Sequence, residues 1–314
     1  MIENQRLKSH KKSLIRTIIK QRYLILMVLP FLIWVITFRY LPLWGWLMAF
    51  QDYKPKAGVG IFGYPFVGLK HFIALFRDPM FYNVMRNTLA MSFLQLIFGF
   101  PLPILFAIML NEVKSIKYKK IVQTSTYLPH FVSWVIVAGI FTTLLSGDGV
   151  VNEILLFIGV IKKPISFLAL PKWFWGICTS AEIWKELGWN SIIFLAAIAG
   201  IDPTLYEAAK VDGASRWQSI RHITLPGIAS TILVILVLDI GWIISIGFEK
   251  QYLLGNSLVQ DYSKVLDLYI LDYGIKLGRY SFGTAIGIFK SVVSIILLYC
   301  ANQLAKRWKG QTVI

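Results

Sequence analysis

Three charged residues lie close together inside a long apolar stretch of the sequence. Glu182, Lys185 and Glu186 are spaced at i, i+3 and i+4 on one helical face, and Trp189 follows one turn later. Such groups can hydrogen-bond to the hydroxyls or carboxylates of a solute, and an indole ring can stack on its apolar face. If the stretch crosses a membrane, a charge near its middle costs roughly 2.5–3.5 kcal/mol. We therefore expect these side chains to face a cavity rather than lipid.

Further candidates of the same kind occur later in the chain. Asp239 and Trp242 share a face of a second apolar stretch, and Lys290 lies in the last one. A single lysine can snorkel to the interface or pair with Asp239, so Lys290 is the weaker candidate. Two interpretations of the whole set stay open from the residues alone: ion pairs that hold a helical bundle together, or a binding surface for a solute. The residues by themselves favour packing.

The sequence lacks the patterns of ATP-binding, hydrolytic and metal sites. No glycine-rich loop ends in Gly-Lys-Ser or Gly-Lys-Thr. The four histidines are scattered without the spacing of metal ligands, and no Ser/His/Asp set stands out. We therefore expect this chain by itself to have no enzymatic activity, no metal and no cofactor.

The composition is that of a membrane protein. The chain is 56% hydrophobic and 15% charged, with a mean hydropathy of +0.63, well above the values of soluble domains. Six apolar stretches can cross about 30 Å of hydrocarbon at about 1.5 Å per residue. The predicted fold is therefore an all-α membrane protein with six transmembrane helices. The expected spans are residues 23–49, 88–110, 127–145, 175–199, 228–248 and 283–303.

Lysine and arginine are concentrated at the two ends of the chain and in the loop after the second predicted span. Residues 1–22 are predicted to form a basic amphipathic arm, residues 23–303 a six-span domain, and residues 304–314 a tail. Because basic segments stay on the cytoplasmic side, both termini are expected there. The net charge of +16 is explained by this topology and by attraction to anionic lipid, so no nucleic-acid partner is expected.

Residues 201–226, between the fourth and fifth predicted spans, carry consistent local signals for two short helices. Asp202, followed by a proline, can cap the first helix, and Gly213 allows the left-handed turn that ends it. Ser215 and Gln218 fit the capping box of a second helix. This segment is too polar to span a membrane and too well capped to be a loose linker. We expect it to present a surface to a cytoplasmic partner.

The same segment contains a spaced motif: Glu-Ala-Ala, three residues, Gly, nine residues, Ile, one residue, Leu-Pro. The residues that occupy it are Glu207, Ala208, Ala209, Gly213, Ile223, Leu225 and Pro226. In this motif the sequence resembles the permease subunits of binding-protein-dependent ABC importers, whose hallmark it is. The resemblance implies a type I importer permease fold, in which this segment is the coupling helix that sits in a cleft of an ATPase subunit.

The resemblance also implies the partners and the roles of individual residues. ATP and Mg²⁺ would be bound by two separate ATPase subunits, a second permease would complete the pathway, and a solute-binding protein outside the membrane would deliver the solute. The protein would be a multi-pass component of the bacterial cell membrane. The residues expected to couple to the ATPase are Glu207, Ala208, Ala209, Asp212, Gly213, Ile223, Leu225 and Pro226.

The resemblance is nearest to the carbohydrate-uptake class, in its oligosaccharide and polysaccharide branch, without the large external insertion of maltose-type permeases. It is carried by residues 21–30, 39–55, 98–112, 127–141 and 188–214. Counting from the motif places Glu182, Lys185, Glu186, Trp189, Asp239 and Trp242 where maltose-type permeases line their sugar site, although most residue types differ. The implied solute is an oligosaccharide, and acidic ones such as alginate or pectin fragments occur in this branch. The alternative is the same architecture importing a non-sugar solute such as a peptide or an oxyanion.

Overall fold

A computed structural model describes residues 20–309 of the chain. The predicted basic arm, apart from its last three residues, and the end of the predicted tail lie outside the described residues. Within them the chain is built almost entirely of helices, and one isolated antiparallel bridge joins Gln51 to Phe66. The predicted all-α class is confirmed.

Three helices are long and apolar enough to cross a membrane, and three bent helix pairs bring the possible number of crossings in the described chain to six. We number the spans 1 to 6 along the chain. Span 1 is Arg22–Phe50, span 2 is Pro79–Asn111, and span 6 is Tyr280–Arg307. Span 3 combines Ile116–Phe131 with Trp134–Leu144, span 4 is Pro171–Ala199, and span 5 is Ala229–Gly241.

Several predicted boundaries were wrong, because hydropathy marks the apolar part of a helix and not its ends. Span 2 begins at Pro79 rather than at residue 88, since Asp78 caps it by accepting a hydrogen bond from the backbone N–H of Met80. Span 3 begins at Ile116 rather than at residue 127, in the lysine-rich segment predicted to be a loop. Span 5 ends at Gly241, seven residues before the predicted end at 248.

Span 3 is broken near its middle. The helix tightens at Leu128–Phe131, Val132 is extended, and Ser133 then caps the helix Trp134–Leu144 by accepting from the N–H of Ile136 at 3.4 Å. The two parts meet at an angle of 105°. This break turns the side chains around it toward span 4.

Short helices fill the segments between the spans. The segment between spans 1 and 2 contains the helix Lys70–Arg77. After span 5, Gly247 adopts a left-handed backbone with φ +74°, which lets the chain turn into the helix Glu249–Leu254. The remaining short helices are Val150–Phe157, Gln260–Ser263 and Leu266–Tyr269, the last continuing into Ile270–Lys276.

Span 4 packs into the buried core at both of its ends. Near its beginning Phe174, Cys178 and Ala181 contact Met91 of span 2 and residues of the segment after span 5. Near its end Phe194 and Ile198 contact span 2 and the start of span 5; their buried partners are Ile104, Ala107, Ile108 and Ile228. By contrast, no residue of Arg22–Val35 in span 1 is buried, which is the expected state of a lipid-facing helix.

Gly188 allows span 4 to approach span 3 closely. A Cβ at this position would lie 2.2 Å from the carbonyl oxygen of Thr126, a backbone atom that cannot rotate away. Gly176, in the same helix, has no atom within 4 Å of the corresponding position.

We therefore expect Gly188→Ala to lower the free energy of unfolding by about 1–3 kcal/mol, the usual range for overpacking a tight contact. Gly176→Ala is the matched control and should leave stability unchanged or slightly raised, because alanine is the better helix former. Thermal unfolding of both variants in detergent measures the difference. Equal melting temperatures would contradict the close approach.

Candidate functional site

A cavity of about 260 Å³ opens between spans 2, 4 and 5 and the segment that follows span 5. Its lining contains both apolar and polar side chains. The polar and aromatic side chains that define it are Gln95, Glu182, Asn190, Asp239, Trp242 and Lys250. Three of the seven predicted pathway residues, Glu182, Asp239 and Trp242, thus line one cavity.

An ion pair joins two walls of this cavity. The ammonium of Lys250, on the short helix Glu249–Leu254, contacts the Oε2 atom of Glu182 on span 4. The Lys250 side chain is 8% exposed and the Glu182 side chain 24% exposed, so the carboxylate is the member more open to the cavity. A buried lysine of this kind needs an anionic partner, because desolvation otherwise disfavours its charge.

Other polar groups of the cavity wall have no partner. Asp239 is exposed, and its carboxylate makes no hydrogen bond or ion pair with any described residue. The Oε1 atom of Gln95 is buried and also lacks a partner within the described chain. Gln95 starts a π-helical turn of span 2, Gln95–Gly99, a local distortion that is frequent at functional sites. Trp242, 67% exposed, offers a ring face at the end of span 5.

Lys185, Glu186 and Trp189 are brought together elsewhere, against the break of span 3. The ammonium of Lys185 donates to the carbonyl oxygen of His130 at 2.6 Å and to Oε1 of Glu186 at 3.0 Å. The Nδ1 atom of His130 donates to Oε2 of Glu186, also at 2.6 Å. The rings of His130 and Trp189 stack in parallel, with centroids 4.2 Å apart. We call Lys185, Glu186, Trp189 and His130 the His130 cluster.

Lys290 lies apart from both groups. It pairs with Asp267 and not with Asp239, which corrects the pairing considered from the sequence. Asp267 also accepts a hydrogen bond from the backbone N–H of Gly247 at 3.0 Å. The pair therefore fastens the turn after span 5 to span 6, so the placement of Lys290 is that of a packing residue.

Sequence reasoning missed two residues of these sites, Lys250 and His130. Lys250 follows the predicted fifth span by two positions, outside the apolar stretches that supply the candidates. His130 has no metal-ligand spacing with the other histidines, so the metal-site pattern does not indicate it. The sequence signal that could have indicated Lys250 and His130 is modest. Each is a polar residue beside an apolar stretch that also contains a cluster of aromatic residues.

The segment between spans 4 and 5 has the predicted form. The helix Pro203–Val211 begins at Asp202, whose carboxylate accepts from the N–H of Thr204 at 2.9 Å. That hydrogen bond lowers the pKa of Asp202, so its contribution to stability persists at neutral pH and is lost as the pH falls through the lowered value. Gly213 has φ +74°, and Ser215 and Gln218 form the capping box that begins the helix Arg216–Gly227.

The two helices form one unit with an exposed outer surface, which we call the helix pair. The hydroxyls of Tyr206 and Thr224 lie 2.9 Å apart and join them, while Leu225 packs on the core at the ends of spans 2 and 4. Along the motif Glu207, Ala208, Asp212, Gly213 and Pro226 are exposed, and Ala209, Ile223 and Leu225 are half-buried. The helix pair is therefore anchored on one side and free on the other.

Comparison with known families agrees with this geometry. Residues 72–310 match the family of binding-protein-dependent transport system inner membrane components. The chain belongs to this family. It is therefore a transport permease subunit with several membrane-spanning helices, and its resemblance to permeases of ABC importers is confirmed.

Two curated relatives from Bacillus subtilis (strain 168) are similar over nearly the whole permease. The polygalacturonan/rhamnogalacturonan transport system permease protein YteP is 47% identical over 302 residues, covering 96% of this chain and 93% of the relative. Protein LplB is 44% identical over 290 residues, covering 92% and 90%. A solved structure of a bacterial ABC transporter involved in the import of the acidic polysaccharide alginate contains a chain that superposes with a TM-score of 0.86 at 44% identity, covering 95% of this chain and 99% of that one.

The His130 cluster predicts a measurable effect on stability. Glu186→Ala should lower the free energy of unfolding by about 1–3 kcal/mol, because the buried ammonium of Lys185 and the ring N–H of His130 both lose their acceptor. Glu153→Ala, which changes an exposed glutamate outside the spans, is the control and should have no effect. Thermal unfolding followed by tryptophan fluorescence compares them. A loss of stability in Glu153→Ala equal to that in Glu186→Ala would count against the cluster.

Proposed function

We propose that this chain forms half of the translocation pathway of an ATP-driven importer that takes up an oligosaccharide delivered by a solute-binding protein. The observation that carries the proposal is the polar cavity among spans 2, 4 and 5 in a permease that also presents an exposed helix pair. A cavity with unpartnered polar groups inside the spans fits a passing polar solute. An exposed, anchored helix pair fits a motor protein on the cytoplasmic side.

An oligosaccharide is the solute that fits the cavity wall best. Trp242 can stack on the face of a pyranose ring, and the exposed Asp239 can accept hydrogen bonds from its hydroxyls. The relatives support this choice: one is named for polygalacturonan and rhamnogalacturonan transport, and the solved structure is described as importing alginate. Both names denote sugars that carry carboxylates, and we propose an acidic oligosaccharide for this chain.

ATP hydrolysis is assigned to separate subunits. The sequence has no phosphate-binding loop, so two ATPase chains would bind ATP and Mg²⁺. The helix pair would then be the coupling element, with Glu207, Ala208 and Gly213 on its exposed surface. Because Ala208 and Gly213 are small, the backbone of a partner can approach them closely.

A second permease would complete the pathway, because this chain forms only half of it. We propose that this second chain differs in sequence and that both termini of the present chain are cytoplasmic, as the distribution of lysine and arginine indicates. The solute-binding protein would dock on the opposite face, onto the segments between spans 1 and 2, 3 and 4, and 5 and 6.

The coupling role predicts that changes in the helix pair separate ATP hydrolysis from transport. Glu207→Lys reverses an exposed charge, and Gly213→Pro cannot adopt the φ of +74°. Both should leave the protein inserted but lower uptake by roughly 5- to 150-fold, the range of typical coupling energies. Lys114→Glu, an exposed charge reversal between spans 2 and 3 and outside the helix pair, is the control and should transport normally. Unchanged uptake in both helix-pair variants would contradict the coupling role.

The proposed function itself is tested by reconstitution in proteoliposomes with the second permease, the ATPase and the binding protein encoded beside it. ATP-dependent uptake and ATPase activity are titrated with acidic oligosaccharides, neutral oligosaccharides, peptides and oxyanions. We expect stimulation by a binding protein loaded with an acidic oligosaccharide. Stimulation only by a peptide or an oxyanion would replace the sugar with a non-sugar solute.

A further inference from the structure

Lys250 is the one basic side chain among the described residues that line the cavity. Its position is fixed by the short helix Glu249–Leu254, in which the neighbouring Gln251 and Leu254 are themselves buried. The stem of the lysine is therefore held by the core, and only its ammonium reaches the cavity wall. A cation in this position is available to a solute only if its present partner, Glu182, can be replaced.

Glu182 is placed so that it can be replaced. The Glu182 side chain is three times as exposed as the Lys250 side chain, 24% against 8%, and both side chains line the cavity. The side chain belongs to span 4, whereas Lys250 belongs to the segment after span 5, so no local backbone geometry forces the two together. Within the described chain Lys250 is its only ion-pair partner, and no described residue donates a further hydrogen bond to it.

We propose that Lys250 is the residue that selects acidic solutes: a carboxylate of the passing oligosaccharide takes the place of Glu182 as the partner of its ammonium. The inference rests on the proposed function and names the residue that recognises the acidic group of the solute. A neutral oligosaccharide has no group that can make this exchange, so it passes the site without the added interaction.

The exchange is energetically reasonable because it replaces one carboxylate by another. The cost of desolvating the ammonium is already met in the resting protein, so the solute gains a charge-assisted hydrogen bond without a new buried cation. The displaced Glu182 and the unpartnered Asp239 remain at the same cavity wall and repel the bound carboxylate. Binding is thus favourable but weak, which a pathway requires if the solute is to leave it.

A purely structural ion pair would behave differently. If the contact only held span 4 to the segment after span 5, removal of either charge would impair the protein to a similar degree, because each would leave the other charge buried and unpaired. If Lys250 binds the carboxylate of the solute, removal of its charge lowers uptake of the acidic oligosaccharide, whereas removal of the charge of Glu182 does not. The two single variants therefore distinguish the roles.

The test is uptake of an acidic oligosaccharide by proteoliposomes that contain the complete importer with either variant. Lys250→Gln should lower uptake about tenfold, which corresponds to about 1.4 kcal/mol, the lower end of what a hydrogen bond to a charged group contributes. Glu182→Gln should give uptake equal to or greater than that of the native protein, because the ammonium no longer has a competing carboxylate. Lys250→Arg keeps the cation and should retain most of the uptake.

Lys114→Gln is the matched control, because it removes an exposed lysine between spans 2 and 3, away from the cavity and outside the segments proposed for docking. It should leave uptake unchanged. Assembly with the ATPase, measured by size-exclusion chromatography, shows whether each variant folds. If Lys250→Gln fails to assemble, the Glu182→Gln variant still decides the question.

A decrease of uptake in Glu182→Gln similar to that in Lys250→Gln overturns the inference and makes the pair structural. Uptake of neutral but not acidic oligosaccharides by the native importer also overturns it, while the importer function stands. If the native importer takes up no oligosaccharide of either kind, the proposed function fails as well.

Discussion

Charged side chains on span 4 need partners from other parts of the chain, and the arrangement of the elements around this span depends on this constraint. An unpaired charge in a low-dielectric interior is costly, and a single helix cannot neutralise three of them well. Glu182 forms an ion pair with Lys250 after span 5, and Glu186 accepts a hydrogen bond from His130 at the break of span 3. Span 4 is thereby tied to the elements on both of its sides.

These ties explain features that otherwise look like irregularities. The break of span 3 exposes the backbone carbonyl of His130, and that carbonyl accepts a hydrogen bond from the buried ammonium of Lys185. The early end of span 5 at Gly241 frees the chain to turn through Gly247 and to bring Lys250 back to span 4. A straight span 3 and a longer span 5 would separate Glu186 from His130 and Glu182 from Lys250.

The sequence predicts the parts of this structure that local interactions determine. Asp202, Gly213 and Ser215 act on residues only a few positions away, so the helix pair could be derived in detail. The number of apolar stretches likewise follows from hydropathy. The separation of Glu182 from Lys185 and Glu186 into two sites could not be derived. The i, i+3 and i+4 spacing shows that the three residues share a helical face, but it does not identify the distant residue that each of them contacts. Those partners, Lys250 and His130, are set by tertiary packing.

The helix pair and the cavity are mechanically connected through the ends of the spans. Leu225 and Ile220 of the helix pair contact the cluster in which Phe194, Ile198 and Ile228 meet span 2. Spans 4 and 5 each join the pair through a bend, of 69° and 58° respectively, with no flexible linker of more than a few residues. Because packed interiors resist compression, a displacement of the helix pair is transmitted to the ends of spans 2, 4 and 5 on which it packs. These are the spans that carry Gln95, Glu182 and Asp239, so the helix pair and the walls of the cavity belong to one packed unit.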